Sequence, residues 1–332
     1  MATYYHNAIM KKILHTARYT GLPLEILQNA CPQCFTVKTL DELSQEQLVK
    51  EAADADYLLV SGRLSIDKSV LDSATHLKMI QRTGVGTDML DKGEIQRRGI
   101  PVYVNAGVNA RSVAEHTMML ILATLKRLPQ INGQMHNGVW KKQLSGVSTN
   151  ELFGKTVGIV GMGHVGRLVA SMLQPFQAKI VYTDIIRQPE EVEKELNLTY
   201  CELFENLLPI VDILTLHCPM VSDNLEALNA RTLGMMKEGS VIINTARGKL
   251  INPDDLYDAV KSGHIRAAAL DTHYEEPIKE GYKLAEMENV ILTPHIGGLS
   301  YEAFEAMMLG AMENIEAFEK GRLSEIEGKR IL

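Results

Sequence analysis

Cysteine and aromatic side chains are scarce: the 332 residues include 4 Cys and 1 Trp, and aromatics make up 5%. So few thiols exclude a disulfide scaffold at this length. Cys31 and Cys34 form a C-x-x-C, but no second such pair accompanies them and Cys201 and Cys218 lie in separate apolar segments. Reduced thiols and no metal site are therefore expected. Basic charge is also short, the net charge being −7. Nucleic acid and anionic membranes are thus excluded as the main partners, since neither would be attracted. No apolar run approaches the length of a membrane-spanning helix, and the leader MATYYHNAIMKK lacks a signal peptide's apolar segment. The expectation is a cytoplasmic protein acting on small molecules.

What is present is an ordinary globular composition, 45% hydrophobic and 23% charged, on a chain long enough for two cores. The chain is organised around Lys155 to Asp184, KTVGIVGMGHVGRLVASMLQPFQAKIVYTD. A short β-branched run, Thr156 to Val160, meets Gly161, Gly163 and Gly166 in G-x-G-x-x-G spacing, and a helix-period stretch leads to a second apolar run ending in Asp184. This reads as strand, tight turn, helix and strand, with the helix N-terminus offering free N–H groups to a pyrophosphate. A carboxylate at the end of the second strand suits the hydroxyls of an adenosine ribose. Asp184 favours NAD over NADP by repelling a 2′-phosphate, whereas Arg187, three residues on, would favour the phosphate.

Along the rest of the chain, strand-like runs at Ile13 to Thr16, Tyr57 to Val60, Lys78 to Gln81 and Val102 to Val104 are separated by helical patterns. In one of these, Ser44 to Ala53, Ser44 and Gln47 have capping-box spacing. Such alternation predicts a small α/β domain with a parallel sheet. The loop RTGVGTD, Arg82 to Asp88, is either an anion nest or a plain strand-to-helix turn. Ser112 to Arg127 is read as a long helix leaving this domain and packing into an interface; Glu115 and His116 on it could approach a site, but a structural hydrogen-bonding pair is the preferred reading. The helix from Pro253 has Asn252 as its N-cap, and Tyr301 to Lys320 is a closing helix that returns to the first domain. The methionines at 118, 119, 307, 308 and 312 are core packing.

Ligands of an open parallel sheet sit beyond the strands' carboxyl ends. After the strand-like runs of the second half come Asp184, then His217 and Pro219, then Thr245, Ala246 and Arg247, then Asp271 and Glu276, and finally His295. An arginine can grip a carboxylate, a histidine can exchange a proton near neutral pH, and a glutamate can orient the imidazole. Together they suit hydride transfer between a hydroxyl-bearing carbon and a nicotinamide. Each taken alone has a structural reading as well.

GMGHVG with Asp184, HCP at 217–219, NTARG at 244–248, DTHYEEP at 271–277 and TPHIGG at 293–298, in this order, resemble the D-isomer-specific 2-hydroxyacid dehydrogenases. The likeness extends over almost the whole chain. It implies an α/β protein of two doubly wound parallel-sheet domains, a Rossmann NAD-binding domain (109–296) inserted into a flavodoxin-like substrate domain (1–108 plus 297–332). It also implies NAD in the cleft between them, a homodimer, and a 2-hydroxy or 2-oxo acid as substrate. The cofactor set implied is Gly161, Gly163, His164, Val165, Gly166, Asp184, His217, Pro219, Thr245, Ala246, Arg247, Asp271 and His295. Arg247 is implied as substrate anchor, Glu276 and His295 as the acid/base pair, and Val85 and Gly86 as backbone ligands of the substrate carboxylate. Thr272, His273 and Tyr274 depart from the residues common in that family. Corepressors that sense NAD(H) share this fold, but the intact Arg247, Glu276 and His295 favour an enzyme. Formate and phosphite dehydrogenases share it too, and the histidine–glutamate pair fits hydroxyacid chemistry better.

Overall fold

The computed structural model describes residues 10–332, so most of the polar leader lies outside the described residues. The chain divides into two compact units, one formed by residues up to Asn109 together with Tyr301–Leu332 and the other by Ala110–Ser300.

The first unit is a five-stranded parallel sheet of β1 (Lys11–His15), β2 (Phe35–Thr39), β3 (Tyr57–Val60), β4 (Met79–Arg82) and β5 (Val102–Tyr103), in the order β2-β1-β3-β4-β5. β3 is buried along its whole length, which explains its uninterrupted apolar sequence YLLV. One face is covered by the helix Tyr301–Glu319, whose Met307, Met308, Met312 and Ile315 pack with Ile13, Leu59 and Met79. Asn105 fastens this helix, donating to Met307 O at 3.0 Å and accepting from Asn314 Nδ2 at 3.0 Å. The C-terminal segment thus completes a core begun by the first hundred residues. Cys31 is half-buried, and burial together with the neighbouring Cys34 pushes its thiol up to about 11, which makes it a poor nucleophile.

The second unit is a seven-stranded parallel sheet of β6 (Thr156–Val160), β7 (Lys179–Thr183), β8 (Leu198–Tyr200), β9 (Ile213–Leu216), β10 (Ser240–Asn244), β11 (Ile265–Leu270) and β12 (Val290–Leu292). Its order is β12-β11-β10-β9-β6-β7-β8, so the winding direction reverses between β6 and β9. A crevice opens at such a reversal, beyond the carboxyl ends of the strands. One core cluster on the sheet combines Val157, Ile159 and Ile243 with Val169 and Leu173, and a second combines Leu214, Ile242 and Ala268 with Leu256 and Val260.

Several expectations change in contact with the structure. The edge strands β2 and β8 are not legible as strands in the sequence, because Phe35–Thr39 buries only Phe35 and β8 has only three residues. Ser44 does cap the helix Gln45–Ala52, accepting from Gln47 N at 3.2 Å, but the Gln47 side chain accepts from Glu42 N instead of completing the box. The long helix runs from Ala110 to Leu125 and its Ala114, Leu120, Ile121 and Leu125 belong to the second unit's own core, so an apolar helix here needs no interface to explain it. Met118 and the three C-terminal methionines are buried as expected, but Met119 is 47% exposed.

Candidate active site

The glycine loop between β6 and the helix His164–Leu173 is held by contacts that leave no room for side chains. Gly161 has φ +96°, and a Cβ at Gly166 would lie 2.1 Å from Gly161 O, so the helix can start directly against the strand end only if both are glycine. Gly163 occupies the N-cap position, has open space around its Cα, and supplies no side-chain acceptor to the first turn. The first-turn N–H groups of His164, Val165 and Gly166 are therefore left to an external anion. Asp184, just past β7, accepts from Met162 N at 2.6 Å and from Ile186 N at 3.0 Å. The carboxylate is thus pinned to the glycine loop with lone pairs to spare. This cradle fits a dinucleotide: an uncapped helix start for the diphosphate and a fixed carboxylate for the ribose.

His217 and Pro219 come after β9 on the same edge. Burial pushes the His217 imidazole down to about 3, so it is neutral; its Nε2 lies 2.9 Å from Thr215 Oγ1.

The acid/base candidates come after β11 and β12. His295 Nδ1 lies 2.8 Å from Glu276 Oε2, and His273 N–H donates to Glu276 Oε1 at 3.0 Å. Burial pushes the Glu276 carboxyl up, but the bonds from His295 and His273 outweigh it and hold the group below the usual carboxylate range. An ionised Glu276 can only accept, so Nδ1 must carry the hydrogen between them. Nε2 of His295 is then the ring nitrogen left without a hydrogen-bond partner from Glu276. The imidazole stands out into solvent-accessible space, 46% exposed.

His295 has φ +59°, a left-handed conformation that costs a non-glycine residue on the order of 1 kcal/mol. Asp271 over-determines it. The buried Asp271 carboxylate accepts from Ile296 N at 2.9 Å, Gly297 N at 2.8 Å and Thr293 Oγ1 at 2.6 Å, and His116 Nε2 lies 3.4 Å away. Burial pushes this carboxyl up, yet the bonds from His116, Thr293 and the two backbone N–H groups hold it at about 2. Expected as a cofactor residue, Asp271 is engaged as a clamp on the loop that carries His295. His116 therefore pairs with Thr293 and Asp271, not with its neighbour Glu115 as expected. Sequence reasoning leaves open that His116 approaches a site but does not find its partners, and it misses Thr293, because the contacts span 177 and 22 positions.

Arg247 sits in the turn after β10. Asn244 shapes that turn, its Nδ2 donating to Arg247 O at 2.8 Å and its Oδ1 accepting from Ala246 N at 3.0 Å. A Cβ at Gly248 would lie 2.0 Å from the His273 carbonyl, so the Arg247 turn is packed directly on the loop leading to Glu276. The structure thus gathers Arg247, Glu276 and His295 on one edge of one sheet. Thr245 is buried and its hydroxyl is taken up by Thr117 at 2.9 Å. Val85 and Gly86 lie past the end of β4 in the first unit, Val85 being 52% exposed. A groove of about 660 Å³ opens at the opposite, amino-terminal edge of the second sheet; its lining, including Thr156, Gln174, Lys179 and Asn197, contains no carboxylate, histidine or arginine. The chemistry is therefore at the carboxyl edge.

Fold and site together define a dinucleotide-binding α/β protein with a histidine–carboxylate pair on the same sheet edge as its glycine loop. Residues 118–297 match the sequence model described as D-isomer specific 2-hydroxyacid dehydrogenase, NAD binding domain. The chain is 36% identical over 282 residues to a glyoxylate reductase of Thermofilum pendens, covering 84% of this chain and 83% of that protein. It is 35% identical over 318 residues to a D-3-phosphoglycerate dehydrogenase of Methanocaldococcus jannaschii, covering 95% of this chain but only 59% of that longer protein. A crystal structure of D-lactate dehydrogenase from Aquifex aeolicus with NAD and lactic acid superposes with a TM-score of 0.84 at 26% identity, over 97% of this chain and 99% of that one. The chain belongs to the D-isomer specific 2-hydroxyacid dehydrogenase family, and its cofactor is NAD. Among the described residues no helix is long and apolar enough to cross a membrane.

Proposed function

We propose that this chain interconverts a D-2-hydroxy acid and its 2-oxo acid, with His295 as the proton-exchanging group, Glu276 as the residue that orients it and Arg247 as the substrate anchor. The observation that carries this is the 2.8 Å His295–Glu276 bond on the same sheet edge as the glycine loop. Held by the glycine loop and Asp184, NAD would supply the hydride acceptor for oxidation and, as NADH, the hydride donor for reduction. His295 Nε2 removes the hydroxyl proton in the oxidative direction and supplies it in reduction. Arg247 grips the substrate carboxylate with its forked donors and polarises the adjacent oxygen. Asp184 selects NAD. The testing experiment is NADH oxidation with glyoxylate, hydroxypyruvate, 3-phosphohydroxypyruvate, pyruvate and bulkier oxoacids. A chain that binds NADH tightly yet reduces none of them would instead be an NAD(H)-sensing binding protein.

Two variants separate the roles. Asp184→Ala should weaken NADH much more than NADPH in a binding titration; equal or tighter NADPH binding by the unaltered chain would contradict the assignment. Glu276→Gln preserves shape but replaces the carboxylate that only accepts from His295 Nδ1 with an amide that can also present N–H to it, so the ring loses its fixed orientation. Reduction of a 2-oxoacid should slow while NADH binding holds. Unchanged turnover would remove Glu276 from this role.

The assembly proposed is a homodimer. Between 128 and 153 the apolar side chains of Leu128, Met135, Trp140, Leu144, Val147 and Phe153 are exposed, Trp140 at 75% and Val147 at 82%, and apolar surface of this kind suits association. Sedimentation should give twice the chain mass of 36.9 kDa, and Val147→Asp should shift it toward the single chain.

A further inference from the structure

Arg187 stands three residues after the ribose carboxylate, where a guanidinium could hold a 2′-phosphate and undo the selection made by Asp184. The structure shows it committed elsewhere. Its Nε donates to Glu193 Oε1 at 2.9 Å and its Nη2 to Glu193 Oε2 at 2.9 Å, a forked pair that uses both carboxylate oxygens. The guanidinium also lies over the Tyr200 ring, 5.2 Å from its centre. Glu193 is fixed in turn. Tyr182, on β7 two residues before Asp184, donates its hydroxyl to Glu193 Oε1 at 2.6 Å and accepts from Gln188 N at 2.8 Å. Arg187 and Tyr182 hold the Glu193 carboxyl well below its ordinary range, to about 2, so the pair stays ionised at any working pH. Glu193 is only 10% exposed, whereas Arg187 is 61% exposed; the anchor is the carboxylate and the arginine is brought to it. Ile185 and Ile186 are 100% and 70% exposed and carry no donor, and Arg167 donates to Gln188.

We propose that Glu193 is a specificity-determining positioning residue: by clamping Arg187 against Tyr200 it withholds from the adenosine ribose the guanidinium that stands three residues beyond Asp184, so that the repulsion of a 2′-phosphate by Asp184 is not offset by that cation. This rests on the dinucleotide reading of the glycine loop and deepens it. To recruit Arg187, a 2′-phosphate would have to break two charged hydrogen bonds and leave a largely buried carboxylate with Tyr182 alone. NADP is thus rejected twice, once by repulsion and once by denial of a partner. The second device is invisible in the motif, where an arginine so close to the acid points the other way.

The test uses the full chain and reads dissociation constants for NADH and NADPH from nucleotide fluorescence, without turnover. Four proteins are compared in the same background: Asp184→Ala; Asp184→Ala with Glu193→Gln; Asp184→Ala with Arg187→Ala; and all three changes together. Glu193→Gln keeps an acceptor for Tyr182 while releasing the guanidinium. It should tighten NADPH on the order of ten-fold over Asp184→Ala, the value of about one new charged hydrogen bond. NADH should change by less than about two-fold, adding Arg187→Ala should cancel the gain, and the gain should shrink as salt rises. Arg187→Ala with Glu193 intact should leave NADPH unmoved, an arm that requires no change at Glu193. The inference is overturned if that variant loses NADPH affinity, or if Glu193→Gln tightens NADPH no further or does so without Arg187. Absence of NADH binding by the unaltered chain would overturn the cofactor reading itself, and this inference with it.

Discussion

Replacing His295 with Ala should leave NADH binding unchanged and lower turnover by about the 10²- to 10⁴-fold that general acid–base catalysis contributes. The separation is expected because, in the site proposed, the glycine loop and Asp184 hold the cofactor through groups that do not involve the imidazole. Alanine at φ +59° carries a backbone cost of its own, so His295→Asn is the companion variant: Asn tolerates the left-handed region better and cannot shuttle the proton. Both should lose turnover to a similar extent, and the Asn variant should melt closer to the unaltered protein. Pre-steady-state mixing of NADH with a 2-oxoacid would show the loss in the chemical step. Near-normal turnover in either variant would remove His295 from the proton path and return the binding-protein reading to first place.

The parts of this site that can be read from sequence are those in which a backbone requirement dictates a residue type. Gly161 and Gly166 must be glycine because one turns left-handed and the other touches the first, and that need shows as a spacing. Asp184, Arg247, Glu276 and His295 are legible because each lies shortly past the end of an apolar strand, and an open parallel sheet puts its chemistry there. The illegible parts depend on contacts distant in sequence. The partner of His116 lies 177 positions away at Thr293, so the helix pattern around it suggests only its neighbour Glu115. Arg187 speaks for NADP in the sequence because its commitment to Glu193 is made through a short helix and an edge strand with weak sequence signals. The same weakness hides β2 and β8: an edge strand buries few side chains, and burial is what makes a strand visible in sequence. The long helix Ala110–Leu125 is plain from its apolarity, yet apolarity does not say which core it enters.

Asp271→Ala should damage stability and turnover together while sparing NADH binding. The buried carboxylate accepts from two consecutive backbone N–H groups and from Thr293. Removing it strands those donors, and breaking a buried, hydrogen-bonded charge of this kind costs about 3–5 kcal/mol. For a unit of this size the melting temperature should fall by roughly 10 °C. Turnover should fall as well, because Ile296 and Gly297 hold the backbone that gives His295 its φ of +59°, and an unclamped loop can relax out of line with Glu276. The pH dependence gives a second check. The Asp271 carboxyl is held at about 2, below its value of about 3.9 in an unfolded chain. Its contribution is therefore full above about pH 4 and is lost as pH falls toward 2, since the unfolded chain takes up the proton first. Asp271→Asn should flatten acid unfolding across that window while leaving the slope above about pH 5 unchanged. If Asp271→Ala melts within a degree or two of the unaltered chain and keeps its turnover, the loop is held by something other than this carboxylate, and the geometry of His295 must be attributed to Thr293 and the turn alone.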